Sequence, residues 1–148
     1  KKEDMSSLAK KVRGTFILAK DHVIEQTKRN RFQMIWEDYF KDIDVILMPT
    51  CITPAFKHDH RKFKDRALFI NGQKREYWDL IIWAGIAITC HLPVTNMPIG
   101  FSKLGLPIGM QIMGPYLEDY TTIEFAHLLS RKIGGYKKPP LTYKKNKI

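Results

Sequence analysis

Residues 85–115, GIAITCHLPVTNMPIGFSKLGLPIGMQIMGP, constrain the fold more than any other part of the chain. Two short apolar runs of β-forming residues, 94–99 and 108–113, flank a connection bounded by Gly100 and Gly105. Runs of this length, set between glycine and proline, predict two strands buried on at least one face. Neither Gly100–Gly105 nor Gly105–Gly109 is a phosphate loop. Both lack the lysine-serine or lysine-threonine ending and the helix that should follow it.

The flanking segments add helices. Residues 16–40 place Val23, Ile24, Phe32, Ile35, Trp36, Tyr39 and Phe40 at spacings of three and four, with Arg29, Asn30, Arg31, Gln33, Glu37 and Asp38 opposite. This predicts an amphipathic helix that buries the apolar stripe and stops near residues 41–43. Residues 44–48 predict a short strand, and its unbroken apolar run from Val45 to Met48 points to cover on both faces. Residues 50–65 read as a long loop, and Asn71-Gly72 as a turn. Residues 77–89 are apolar nearly all round and predict a buried helix, with Gly85 allowing close approach of a neighbour. A last helix is expected over 118–133, buried through Ile123, Phe125, Ala126, Leu128, Leu129 and Ile133. Thr121 and Glu124 fit a capping box there, or Asp119 caps instead, and Gly134-Gly135 ends it. Helix, strand, helix, strand, strand, helix indicates an α/β layer without giving the strand order.

Composition excludes some functions. The chain has 148 residues, 44% of them hydrophobic, enough for one domain with its own core. Its longest apolar stretch, 80–89, falls short of the roughly 20 residues that span a bilayer, so no membrane insertion is expected. Cys51 and Cys90 lack zinc-site spacing and do not make a disulfide framework, which points to a reducing compartment, the cytoplasm. The chain starts at Lys1 rather than methionine, so processing or truncation upstream is expected. The net charge is +10, much of it at the ends: Lys1, Lys2, Lys10, Lys11 and Arg13 in front, Lys137, Lys138, Lys144, Lys145 and Lys147 behind. Basic ends read as solvated tails. A nucleic-acid footprint would gather basic side chains on one folded face.

Several landmarks, taken in order, carry a resemblance. They are D-x-φ-φ-x-P-T at Asp44–Thr50, with φ an apolar residue, then Pro54-Ala55-Phe56, then a helix running from Ala84-Gly85 to Leu92-Pro93. Pro98-Ile99-Gly100 follows, and then Gly105-Leu106-Pro107-Ile108-Gly109-Met110-Gln111. None is diagnostic alone, but their order and spacing resemble the C-terminal part of the amidase signature family, from about Gly14 to Leu141. The resemblance implies an α/β/α fold, a mixed sheet covered by helices, of which this chain holds only part. It divides the chain into a polar N-terminal remnant (1–13), the C-terminal part of an amidase domain (14–136) and a basic tail (137–148). The implied activity is hydrolysis of carboxylic amides by a Ser–Ser–Lys triad. Ser6, Ser7, Ser102 and Ser130 lie in no glycine- and serine-rich segment, so none of them is assigned a catalytic role.

What the resemblance places in this chain is pocket wall: Thr50, Cys51, Ile52, Thr53 and Phe56 from the loop, and Trp83 and Ile86 from the apolar helix. The KHDHRKFKDR stretch, 57–66, has no counterpart in the pattern. The implied partners are the missing N-terminal part of the amidase, a small-molecule amide and, as an option, a second copy in a homodimer. No cofactor and no metal are implied. The alternative reading is a basic nucleic-acid-binding domain, or a stand-alone interaction domain, without catalysis.

Other constellations read as structure. His58-Asp59-His60 is a solvated charge run rather than a metal site. Cys90-His91 is a structural thiol beside a helix end, and Ser102-Lys103 are turn neighbours that point apart. Trp36, Trp78 and Trp83 are core residues rather than base-stacking platforms. Gln111, polar inside an apolar strand, is expected to tie that strand to a neighbouring loop.

Overall fold

The computed structural model describes residues 7–139, without the side chains of Ser7, Leu8 and Lys11. Lys1, Lys2, Pro140, Lys144, Lys145 and Lys147 lie outside the described residues. The elements are α1 (Ser7–Thr15), α2 (Ala19–Tyr39), β1 (Ile46–Pro49), β2 (Ala67–Ile70), β3 (Gln73–Glu76), α3 (Ile82–Cys90), β4 (Val94–Phe101), β5 (Pro107–Met113) and α4 (Asp119–Ile133). Short 3-10 turns precede β2, at Phe63–Asp65, and α3, at Tyr77–Ile81.

The two runs at 94–99 and 108–113 form a hairpin, and β5 lies at the centre of a three-stranded sheet in the order β1-β5-β4, with both pairings antiparallel. Met113 stands opposite both Ile46 and Val94, and Gln111 opposite both Met48 and Asn96. Alternation along a strand then sorts the side chains. Ile46, Met48, Val94, Asn96, Gln111 and Met113 share one face. Leu47, Thr95, Met97, Met110 and Ile112 share the other.

The first face packs under α3. Met48 and Met113 cluster there with Ala87, Cys90 and Leu92, and Trp36 of α2 and Phe40 at its C-cap pack against them. The second face packs under α4, where the Thr122 and Thr95 hydroxyls meet at 2.8 Å. The result is helix, sheet, helix, the α/β layering that the element order predicts.

Several expectations change in detail. β1 is not covered on both faces. Leu47 is 48% exposed, because α4 makes its contacts with β4 and β5 rather than β1. The helix expected from residue 16 starts only at Ala19, and a separate helix, α1, precedes it, mostly within the segment read as a polar remnant. On α2 and its C-cap the half-buried positions are Asp21, Gln26, Arg29, Gln33, Trp36 and Phe40, the last five at spacings of three and four. Gln33 donates to the Cys90 carbonyl at 3.0 Å. The packed face therefore combines Arg29 and Gln33, read as polar, with Trp36 and Phe40 of the stripe read as apolar, while the other stripe residues Val23, Ile24, Phe32, Ile35 and Tyr39 are exposed. Polar side chains serve at this contact because α3 ends there with free carbonyls to satisfy.

Helix α3 buries only Ala87 and Cys90; Ile81, Ile82 and Ile88 are exposed. Nothing lies within 4 Å of a Cβ built at Gly85, so no close neighbour requires that glycine. On α4, Ile123, Leu128 and Ile133 are exposed, and the buried residue is Thr122. Its first turn has no capping box: the Thr121 hydroxyl reaches back to Glu118 Oε2 at 2.7 Å. Gly134 ends it in the left-handed conformation, as expected.

Asn71-Gly72 proves to be the two-residue turn of a hairpin, β2-β3. Both residues have positive φ, 51° and 78°, the pattern of the turn type that matches strand twist.

The accessible surface is 12539 Å², whereas a compact monomer of 17.3 kDa exposes about 7,800 Å². The excess includes the apolar faces of α2, α3 and α4. No helix among the described residues is long and apolar enough to cross a membrane.

One close approach is testable. A Cβ at Gly114 would fall 2.6 Å from Thr122 Cγ2, and Thr122 is 1% exposed. Gly114→Ala should lower stability by about 1–3 kcal/mol through overpacking. Adding Thr122→Ser removes the clashing methyl but keeps the hydroxyl bonded to Thr95. The double variant should recover to within about 1 kcal/mol of the parent in urea titrations. A neutral Gly114→Ala would show that α4 does not press on this turn.

Candidate functional site

The loop that leaves β1 is anchored at its first residue. The Gln111 amide, 3% exposed, donates to the Pro49 carbonyl at 2.9 Å. Thr50 donates its hydroxyl to Asn96 Oδ1 at 3.0 Å, across the central strand. Gly109 of β5 lies beneath, where an added Cβ would come 2.9 Å from Thr50 Oγ1. These contacts fix the exit direction of the chain. Gln111 thus ties its strand to the start of the loop, as expected. Asn96 was not singled out in the sequence, and Gly109 entered only as a landmark, not as a site residue. The signal was present in the pattern G-L-P-φ-G, where a glycine interrupts an apolar strand and marks a close backbone approach.

Thr50, Cys51, Ile52 and Thr53 then line one side of a cleft of about 280 Å³ whose other side is Pro107, Ile108 and Gly109. The Cys51 thiol, half-buried, donates to the Leu80 carbonyl at 3.5 Å. The structure therefore brings four of the seven wall candidates together. Phe56 stands apart, its ring edge-on to Tyr77 at 6.2 Å. Trp83 and Ile86 pack against the core cluster beneath α3.

A second, open hollow of about 540 Å³ lies on the α3 side of the sheet, lined in part by His91, Asn96, Gln111 and Asp119. Asn96 and Gln111 thus belong to both the loop anchor and this hollow.

The remaining constellations resolve as structural. Cys90 is buried, and burial pushes its thiol up. Its neighbour His91 ends α3 in the left-handed conformation and meets Arg29 Nη1 at 3.2 Å. Guanidinium only donates, so His91 Nε2 is the acceptor in that contact. Ser102 accepts from the backbone N–H of Leu104 and Leu106 and closes the β4-β5 turn. His58 and His60 stack at 5.9 Å, while Asp59 between them is gripped by Arg61 at 2.6 Å and held down at about 2. Among the described residues, no three His, Cys, Asp or Glu side chains are grouped as a metal would need. Trp36 and Trp83 pack on the core; Trp78 lies 4.9 Å from the Phe63 ring. The cleft offers hydroxyls, a thiol and apolar surface, which suits the holding of an uncharged ligand.

A family model described as Amidase matches residues 5–123. A glutamyl-tRNA(Gln) amidotransferase subunit of Prochlorococcus marinus (strain NATL2A) is 31% identical over 134 residues, covering 87% of this chain and 26% of that protein. Fatty acid amide hydrolase of Arabidopsis thaliana is 30% identical over 127 residues, covering 84% of this chain and 20% of that protein. A solved structure described as a crystal structure of amidase superposes with a TM-score of 0.68 at 17% identity, over 88% of this chain and 29% of that one. The chain thus spans about a quarter or less of the length of these two relatives.

The two thiols should differ in reactivity. Near the free-thiol value of about 8.5, iodoacetamide should modify Cys51 first, and Cys90 only as the protein unfolds. Because burial raises the Cys90 thiol, its stabilising effect holds below that value and fades as pH rises through the folded one. Peptide mass mapping reads the order; equal labelling would mean that α2 and α3 do not shield Cys90.

Proposed function

This chain belongs to the amidase family, and we propose that it is the C-terminal segment of an amide hydrolase, supplying core sheet and substrate-pocket wall. The observation that carries this reading is the cleft beside Thr50, lying on a family-matched sheet whose covering helices leave their apolar faces open. Those faces suit burial against further layers of the same protein.

In the proposed reaction, a Ser–Ser–Lys triad from a segment outside these 148 residues does the covalent chemistry. The lysine takes the proton of the nucleophilic serine through the middle serine. The serine oxygen adds to the amide carbonyl, and backbone N–H groups hold the oxyanion. The C–N bond breaks, and the nitrogen leaves with the relayed proton. Water then cleaves the acyl-serine ester by the same route and releases the carboxylic acid. Thr50, Cys51, Ile52 and Thr53 shape the space for the group beside the scissile bond. Phe56, Trp83 and Ile86 act further out, as support or as wall completed by the other segment. The free thiols fit a reducing compartment such as the cytoplasm, and a homodimer is compatible with the open faces.

The test begins with the natural protein that carries this sequence. Intact mass spectrometry should find a longer chain, or a companion, with a glycine- and serine-rich segment. A fluorophosphonate probe should label a serine of that segment, and amine release should be seen from a panel of carboxamides. Absence of both labelling and hydrolysis overturns the proposal. Ile52→Trp should then lower kcat/KM for bulky amides on the order of 10-fold and spare small ones, the size of effect expected from one misfitting group in a pocket.

A further inference from the structure

The KHDHRKFKDR stretch, 57–66, and the β2-β3 hairpin that follows it form a surface apart from the cleft beside Thr50. Between Lys57 and Glu76 there are seven lysines and arginines against three acids. Arg61 is paired with Asp59, and Arg75 with Asp79 at 2.7 Å. Lys57, Lys62, Lys64 and Lys74 pair with no carboxylate among the described residues.

The β2-β3 hairpin and the 3-10 turn before it gather these charges. Lys64, Arg66, Lys74 and Arg75, together with Asp65 and Glu76, surround a hollow of about 530 Å³. Arg66 is fixed in place: its Nε donates to the Arg61 carbonyl at 2.9 Å, and its guanidinium lies 5.5 Å from the Tyr77 ring centre and 5.9 Å from that of Phe63. Beside the hollow stands Phe69, 73% exposed and directly opposite Lys74 in the strand register. Directly opposed residues project to the same face, so this ring and this ammonium lie side by side.

We propose that this face binds single-stranded nucleic acid, with Lys64, Arg66 and Lys74 on the phosphates and Phe69 stacked on a base. Cations set beside an exposed ring match how unpaired strands are held. A duplex keeps its bases stacked and offers Phe69 no partner. A membrane surface would attract the lysines, but the hairpin tip is Asn71-Gly72-Gln73, which is polar and unsuited to insertion. The inference does not depend on amide hydrolysis.

The experiment is fluorescence anisotropy of a labelled oligouridylate of about 16 nucleotides with the natural full-length protein, titrated over a range of salt. Binding should weaken with salt. Lys64→Gln with Lys74→Gln should flatten the slope of log K against log salt by about 1.4, close to 0.7 for each cation removed. Phe69→Ala should weaken binding on the order of 10-fold and leave the slope unchanged. Lys137→Gln with Lys138→Gln should change neither. All of these positions are exposed, and circular dichroism confirms that each variant keeps its fold. The proposal is overturned by any of three results: no binding at low salt, binding that the hairpin substitutions leave intact, or retention only on phosphatidylserine vesicles.

Discussion

Strand β5 sets the position of nearly everything else. It pairs on both edges, it carries the fully buried Ile112 and Met113, and each of its faces meets a different helix. Its one buried polar side chain, Gln111, bonds the last carbonyl of β1. A slip of one residue would turn Met113 toward α4 and Ile112 toward α3. It would also leave the Gln111 amide buried without its acceptor, at a cost of about 1–3 kcal/mol. Register, sheet order and the start of the cleft loop therefore depend on the same few contacts.

The helices around this strand are unequal in what they cover. α2 meets α3 through Arg29 and Gln33, whose polar ends satisfy the end of that helix, and through Trp36 and Phe40. Its other apolar residues turn outward, as do Ile88 of α3 and Leu128 of α4. Apolar surface on both the inner and outer sides of a helix is what a middle layer requires, which agrees with a chain that spans only part of its relatives.

The segment leaving β1 serves two ends. Near the sheet it is pinned by Thr50 to Asn96 and makes a cleft wall against β5. Farther along, Arg61 grips Asp59, and Arg66 lies over Phe63 and over Tyr77, the residue that follows the hairpin. The first part follows the landmarks of the family, and the second has a charge pattern of its own. In both, a backbone carbonyl accepting one side-chain donor fixes the geometry: Pro49 for Gln111, Arg61 for Arg66.

The sequence by itself determined the elements whose signals are local. Short apolar runs bounded by glycine and proline gave β4 and β5, Gly134 gave the end of α4, Asn71-Gly72 gave a turn, and the ordered landmarks gave the family. The family resemblance pointed to the loop after β1, and the structure sets its residues Thr50, Cys51, Ile52 and Thr53 along one cleft. Only the tertiary structure decided which face of α2 is inside, that β1 is covered on one side, and that the turn belongs to a hairpin. It alone gathered Lys64, Arg66 and Lys74 around one hollow and set Phe69 opposite Lys74 beside it. The physical reason is that periodicity records which residues are apolar, whereas burial depends on which neighbour arrives and which hydrogen bonds that neighbour needs filled. An apolar stripe meant for a layer beyond these residues looks, in sequence, the same as one meant for the core at hand.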